Sequence, residues 1–351
     1  MKYRVLVAAS ALVAVAAAGG LSAQGALARQ ERGSPGVSLA RDLVASASAF
    51  ETYTRGGAAI TAGFTSGDGV AEALARGAAY KAEQLDQGMI AYGAIAALQE
   101  PAFLDGVRAA MRDTPPDVLA ARLIEDPESV VAFDGVGVAA ARAQAALLKR
   151  GAPLGAAGRA VKQAAYDIQR QDWSKGPVAD NPGRLARIKA MSSAVFTPGE
   201  GDAGRLIMAA TAPSEAAGGV EGAAFTPVTV RAAALAALAV LGAAGDDDVA
   251  RLQPVLEEKK SAFCMKMAKL NLYQCLAVAG PHYEDVFCLG QHALIDTAQC
   301  VGEAAGGGGP PLASPVPAAG PRPAPGFLIP IGGQAPEGRT VTAMATATPG
   351  N

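Results

Sequence analysis

The chain has 351 residues, 50% of them hydrophobic but only 5% aromatic, with 30 basic and 32 acidic side chains and two histidines, for a formal net charge of −2. That balance argues against a nucleic-acid partner, which requires a basic surface able to displace counterions from phosphates. The abundance of alanine and glycine predicts an all-α, multi-helix fold whose helices approach closely through small side chains.

The N-terminus carries Lys2 and Arg4, then an apolar run from Val5 to Ala18, Gly19-Gly20, and small residues ending in Ala26-Leu27-Ala28. This is the order of a secretory signal peptide, with cleavage expected after Ala28. Cleavage would leave 28 basic and 32 acidic residues, a net charge of about −4, since Lys2 and Arg4 depart with residues 1–28. The apolar run is shorter than the roughly 20 residues of a spanning helix, as is the second one at Ala232 to Gly245, so no integral membrane span is expected after cleavage. The protein is therefore expected to be exported, periplasmic or secreted, into a compartment where cysteines oxidise.

Residues 29–196 read as an N-terminal helical region. Leu39, Leu43, Phe50 and Tyr53 share one helical face, and so do Leu85, Met89, Tyr92 and Ile95, at the spacing of core-facing stripes. Thr114-Pro115-Pro116-Asp117 and Asp126-Pro127-Glu128 place a capping side chain before proline, so helices are expected near 117–124 and 128–149. Gly151-Ala152-Pro153 reads as a break, Ala156 to Gln171 as a new helix, Gly176 to Gly183 as a turn-rich link, and Arg184 to Met191 as a further helix. Residues 197–227, rich in glycine and proline, read as a linker. The C-terminal region 228–303 then opens with an alanine-rich helix, Val228 to Leu241, and Asp246-Asp247-Asp248 begin another, where carboxylates suit the positive end of the helix dipole. Residues 304–351 read as a disordered tail: ten of the 23 prolines lie beyond Gly306 and charges almost vanish. Within it, Phe327 to Ile331 forms an apolar cluster.

All four cysteines, Cys264, Cys275, Cys288 and Cys300, flank a single break at Gly280-Pro281. Within a helix, Cys264 and Cys275 would stand about 16 Å apart and Cys288 and Cys300 about 18 Å, whereas a disulfide needs Cα atoms within about 7 Å. An antiparallel hairpin at Gly280-Pro281 favours nested pairing, Cys275 with Cys288 near the turn and Cys264 with Cys300 at the open end. Eleven residues return to within about 20° of one helical face, but the twelve from Cys288 to Cys300 leave about 120°, so the second helix is expected to be irregular near Gly290. The layout resembles the twin C-x9-C helical hairpins, in which nested disulfides staple two antiparallel helices, although ten, twelve and eleven residues separate successive cysteines here. That resemblance implies the staple geometry and a role for the cysteines in stability or docking.

Met265, Met267, His282 and His292 supply soft sulfur and imidazole donors of the kind that select copper or zinc, but no pair has zinc-motif spacing, so no metal or cofactor is expected. The polar, aromatic stretch around Tyr166, Asp167, Gln169 and Trp173, which holds the only tryptophan, is a candidate ligand surface. No G-x-S-x-G elbow occurs, and Glu83, Glu100, Glu125, Asp167 and Glu284 offer carboxylates without a ranking. The expectation is a cell-envelope structural or protein-interaction factor, with another envelope protein as partner and catalysis improbable. An enzyme acting on an envelope polymer is the alternative, and a soft-metal carrier the third reading.

Overall fold

The computed structural model describes residues 37–211 and 225–307. The expected signal peptide and the cluster at Phe327 to Ile331 lie outside them, as does the tail beyond residue 307. Among the described residues there are fourteen α-helices and no strand, only an isolated bridge between Pro177 and Pro281. Helices α1 (Arg41–Ala58), α2 (Gly67–Ala78), α3 (Ala82–Ala97), α4 (Pro101–Asp113) and α5 (Pro116–Glu125) lead to a 3-10 segment at Pro127–Ala132. Next come α6 (Val136–Asp167), a 3-10 turn at Ile168–Arg170, the single turn α7 (Asp172–Lys175), α8 (Asn181–Ser193) and α9 (Asp202–Thr211). The remainder is α10 (Pro227–Val240), a 3-10 segment at Asp246–Leu252, the single turn α11 (Gln253–Leu256), α12 (Lys259–Val278), α13 (His282–Cys288), a π-helical segment at Leu289–Ile295, and α14 (Asp296–Ala304). No helix among the described residues is long and apolar enough to cross a membrane.

Small residues decide which helices meet. In α3 every residue from Gly88 to Ala97 is buried, and α1, α6, α10 and α12 surround it. A β-carbon on Gly88 would fall 2.1 Å from the Ser46 carbonyl oxygen, so α1 and α3 approach to a distance only glycine permits. Leu43, Phe50 and Tyr53 on α1 and Leu85, Met89, Tyr92 and Ile95 on α3 are buried together in the core, as their spacing predicts, whereas Leu39 precedes α1 and is only partly buried against that core. Proline stands in the first turn of α4, α5 and α10, where its missing N–H costs no hydrogen bond. Asp246 acts across the chain: it accepts from the Arg41 backbone N–H at 2.8 Å and its guanidinium at 2.9 Å, at the start of α1.

Two expected boundaries move. Residues 127–132 form a 3-10 segment, and the α-helix expected at 128–149 begins instead at Val136. The break expected at Gly151-Ala152-Pro153 is absent, because α6 runs unbroken through Pro153 to Asp167. Pro153 and Lys149 both lie on the solvent side, where water can take the carbonyl that proline leaves without a donor. Gly151, Gly155 and Gly158 lie on the inner side, where added β-carbons would meet Val301, Ala298 and Ile295 at 3.1, 3.3 and 2.8 Å. These glycines mark close helix packing. The stretch 197–227, expected to be a linker, contains α9, whose Leu206 and Ala210 are buried and which packs on α1 and α3.

The C-terminal hairpin forms with the nested disulfides, Cys264–Cys300 and Cys275–Cys288. Its second arm is irregular where the twelve-residue spacing demands it: residues 289–295, which include Gly290, are π-helical. A π turn takes up an extra residue, so twelve residues subtend the rotation of about eleven in α geometry and bring Cys300 back to the face of Cys288. Helix α14 ends where Gly306 takes a φ of 78° and the Gly307 N–H reaches back 2.8 Å to the Gly302 carbonyl.

Candidate functional site

Helix α12 turns two unlike faces to its surroundings. Its inner face buries Met265, Ala268, Leu272 and Leu276, together with a lysine, Lys269. The Lys269 ammonium donates to the Ala78 carbonyl at 2.6 Å and to the Ser192 hydroxyl at 3.1 Å, and stands 3.3 Å from the centre of the Tyr80 ring. Burial holds its pKa well below the ordinary lysine value, since no carboxylate pairs with it among the described residues. The same seam continues outward: the Tyr80 and Thr297 hydroxyls share a hydrogen bond of 3.0 Å, the Tyr53 hydroxyl donates to the Ala293 carbonyl at 2.6 Å, and the two tyrosine rings lie 4.4 Å apart. Burial raises the pKa of both phenols, so they stay protonated donors.

The outer face of α12 is apolar and cationic. Phe263, Leu270 and Val278 are 64%, 48% and 67% exposed. With Met267 half-buried between them, Phe263, Met267, Leu270 and Gln274 recur at alternating four- and three-residue steps along the exposed side. Lys259, Lys260 and Lys266 are exposed on the same helix, which contains no Asp or Glu from end to end. Cys264 and Cys275, both on α12, tie it to the second arm of the hairpin. A face of this kind is pre-organised to receive an apolar surface with negative flanks.

On the far side of the tyrosine pair a cavity of about 220 Å³ opens between α1, α2 and α3. Tyr53, Tyr80, Leu85 and Phe196 line it, with Arg55, Arg76 and Lys81 on its wall and no acidic residue. Phe196 is held there by Gln84, whose amide donates to the Phe196 carbonyl at 2.9 Å and accepts from its N–H at 2.8 Å. A second cavity of about 190 Å³, lined by Thr61, Thr65 and Glu72, shares Arg76 with the first.

The residues singled out from the sequence are dispersed. Tyr166 and Asp167 end α6, exposed, with the Tyr166 ring edge-on to Phe287 at 6.1 Å and Asp167 accepting from the Gln163 amide at 2.9 Å. Gln169 is exposed, and Trp173 is partly buried against the core with its ring 6.3 Å from that of His282. Neither cavity includes any of these four. His292 bonds to Asp296 at 2.8 Å, Met265 is buried, Met267 is on the outer face of α12, and all four cysteines are in disulfides. No cluster of three or more His, Cys, Asp or Glu side chains able to hold a metal ion occurs among the described residues. The α12 face and the tyrosine cavity escaped sequence reading. The unbroken absence of carboxylates from Lys259 to Val278 is the signal that marks the former.

Compared with protein-family models, with curated proteins and with solved structures, the chain matches none.

Proposed function

We propose that this chain is an exported cell-envelope factor that works by binding another envelope protein, and that the outer face of α12 is its docking surface. The observation that carries the reading is that face itself: exposed Phe263, Leu270 and Val278 with half-buried Met267 between them, on a helix whose only charged side chains are lysines. Exposed apolar stripes at helical spacing mark interaction sites, and the lysines select for a partner helix with an apolar face and acidic flanks. Export is supported by the order of charge, apolar run and small residues before Arg29 and by two disulfides, which persist in oxidising compartments. The enzymatic alternative draws less support. Asp86 and Asp285, whose pKa values burial raises to about 7 and about 6, line neither cavity.

The test places a photo-crosslinking residue at Leu270 and, as a control, at Val131 in cells making the full chain, followed by N-terminal sequencing of the exported form. The expected result is a chain starting at Arg29 and a Leu270-specific adduct with an envelope protein through an acidic amphipathic segment. Purified partner should lose binding to Lys260→Glu/Lys266→Glu and regain it when its own acidic residues are reversed. Equal labelling at both positions, adducts to lipid or to a second copy alone, or an uncleaved cytoplasmic chain would overturn the proposal.

A further inference from the structure

Two adjacent glycines near the end of α1 differ in what surrounds them. A β-carbon on Gly57 would collide with the Leu154 side chain at 2.5 Å, so packing accounts for that glycine. A β-carbon on Gly56 would meet nothing within 4 Å. Glycine is the costliest helix residue apart from proline, and no steric demand explains it at 56. Gly56 lines the 220 Å³ cavity, and any side chain there would project into it. The neighbouring Thr52 also lines the cavity, and its Oγ1 is buried without a hydrogen-bond partner. A helical threonine ordinarily spends this hydroxyl on a preceding carbonyl, as Thr54 does on Phe50 at 2.8 Å.

The charges on the wall point the same way. Arg55 is paired with Glu51 at 3.1 Å and Lys81 with Glu83 at 3.2 Å, but the Arg76 guanidinium has no ion-pair or hydrogen-bond partner among the described residues. The cavity thus combines apolar walls from Tyr53, Tyr80, Leu85 and Phe196 with one unpartnered guanidinium, one orphan hydroxyl and no carboxylate. From this geometry we infer that the cavity binds a small organic carboxylate with an apolar body. The carboxylate sits on Arg76, whose fork matches its two oxygens, and the apolar body lies against the tyrosine pair. At about 220 Å³ the space is below the roughly 300–1,000 Å³ of pockets for drug-sized ligands, so the ligand is of fragment size.

Hexanoate is a suitable probe, titrated into the purified full chain and followed by two-dimensional amide NMR. The expected result is saturable shifts confined to α1, the α2–α3 turn and the segment around Phe196, with hexanamide binding about tenfold more weakly for want of the charge-assisted bond. Gly56→Leu should abolish binding while raising the melting temperature, because it fills the cavity from a helical position with room for it. Arg76→Glu, at an exposed site, should reduce affinity at least about tenfold with an unchanged fold by circular dichroism. No saturable shifts, shifts centred on α12, equal affinity for hexanamide, or undiminished binding by folded Gly56→Leu would overturn the inference.

Discussion

Gly290 of the π segment and Lys162 of α6 meet backbone to backbone: a β-carbon on residue 290 would lie 2.5 Å from the Lys162 amide nitrogen. Backbone cannot swing aside as a flexible side chain can, so Gly290→Ala must part α6 from the hairpin. The expected cost is about 3 kcal/mol, the upper end of ordinary overpacking. Gly56→Ala, which meets no neighbour, should instead stabilise by about 0.5–1 kcal/mol. Urea unfolding of the two variants beside the parent checks both signs.

The two disulfides close loops of different length, with sequence separations of 36 for Cys264–Cys300 and 13 for Cys275–Cys288. Loop-closure entropy assigns about 4 kcal/mol to the outer bridge and about 3 kcal/mol to the inner one, each counted alone. Paired serine replacements should reproduce that order in chemical denaturation. Because the bridges are nested, removing both should cost less than the sum of these stand-alone figures, since the inner bond shortens the loop that the outer one closes.

Asp86 is 3% exposed and accepts a hydrogen bond from the Ser261 hydroxyl, and burial raises its pKa to about 7. The folded chain therefore holds this proton between about pH 4 and pH 7 while the unfolded chain has released it. Stability contributed by protonated Asp86 is full below the unfolded value and declines as pH rises toward 7, by up to about 1.4 kcal/mol per pH unit. Asp86→Asn should flatten this dependence and raise stability at pH 8, read from melting temperatures across that range.

Lys269 runs with the opposite sign. Its folded pKa is depressed by burial, so between that value and the ordinary lysine range the unfolded chain binds the additional proton, and stability rises with pH. Lys269→Met keeps the length of the side chain and removes the titration. The variant should match or exceed the parent at neutral pH and lose the alkaline rise, measured by thermal melts from neutral to alkaline pH.

How much of this was legible beforehand varies by residue. The nested cysteines and the irregularity near Gly290 could be read from numbers alone, because the pitch of a helix and the reach of a disulfide are local quantities. Gly151 and Pro153 misled for a related reason. Both are helix breakers in isolation, and only the neighbouring α14 and π segment reveal that the glycine stripe is a contact surface while the proline faces solvent. The Tyr166 to Trp173 stretch drew notice for its composition, yet the cavity formed from residues of ordinary appearance spread between Ala49 and Phe196.

By itself, then, the sequence determined the all-helical class, the core stripes on α1 and α3 and the hairpin, and it favoured the nested disulfide pairing, since each follows from periodicity within one or two helices. Tertiary structure alone decided that Lys269 is buried while Phe263 and Leu270 on the same helix are exposed, and that Tyr53, Gly56, Arg76 and Phe196 enclose one space. The physical reason is that burial belongs to a pair of faces. A side chain's own chemistry states what leaving water would cost it, but only the helix packed against it determines whether it leaves.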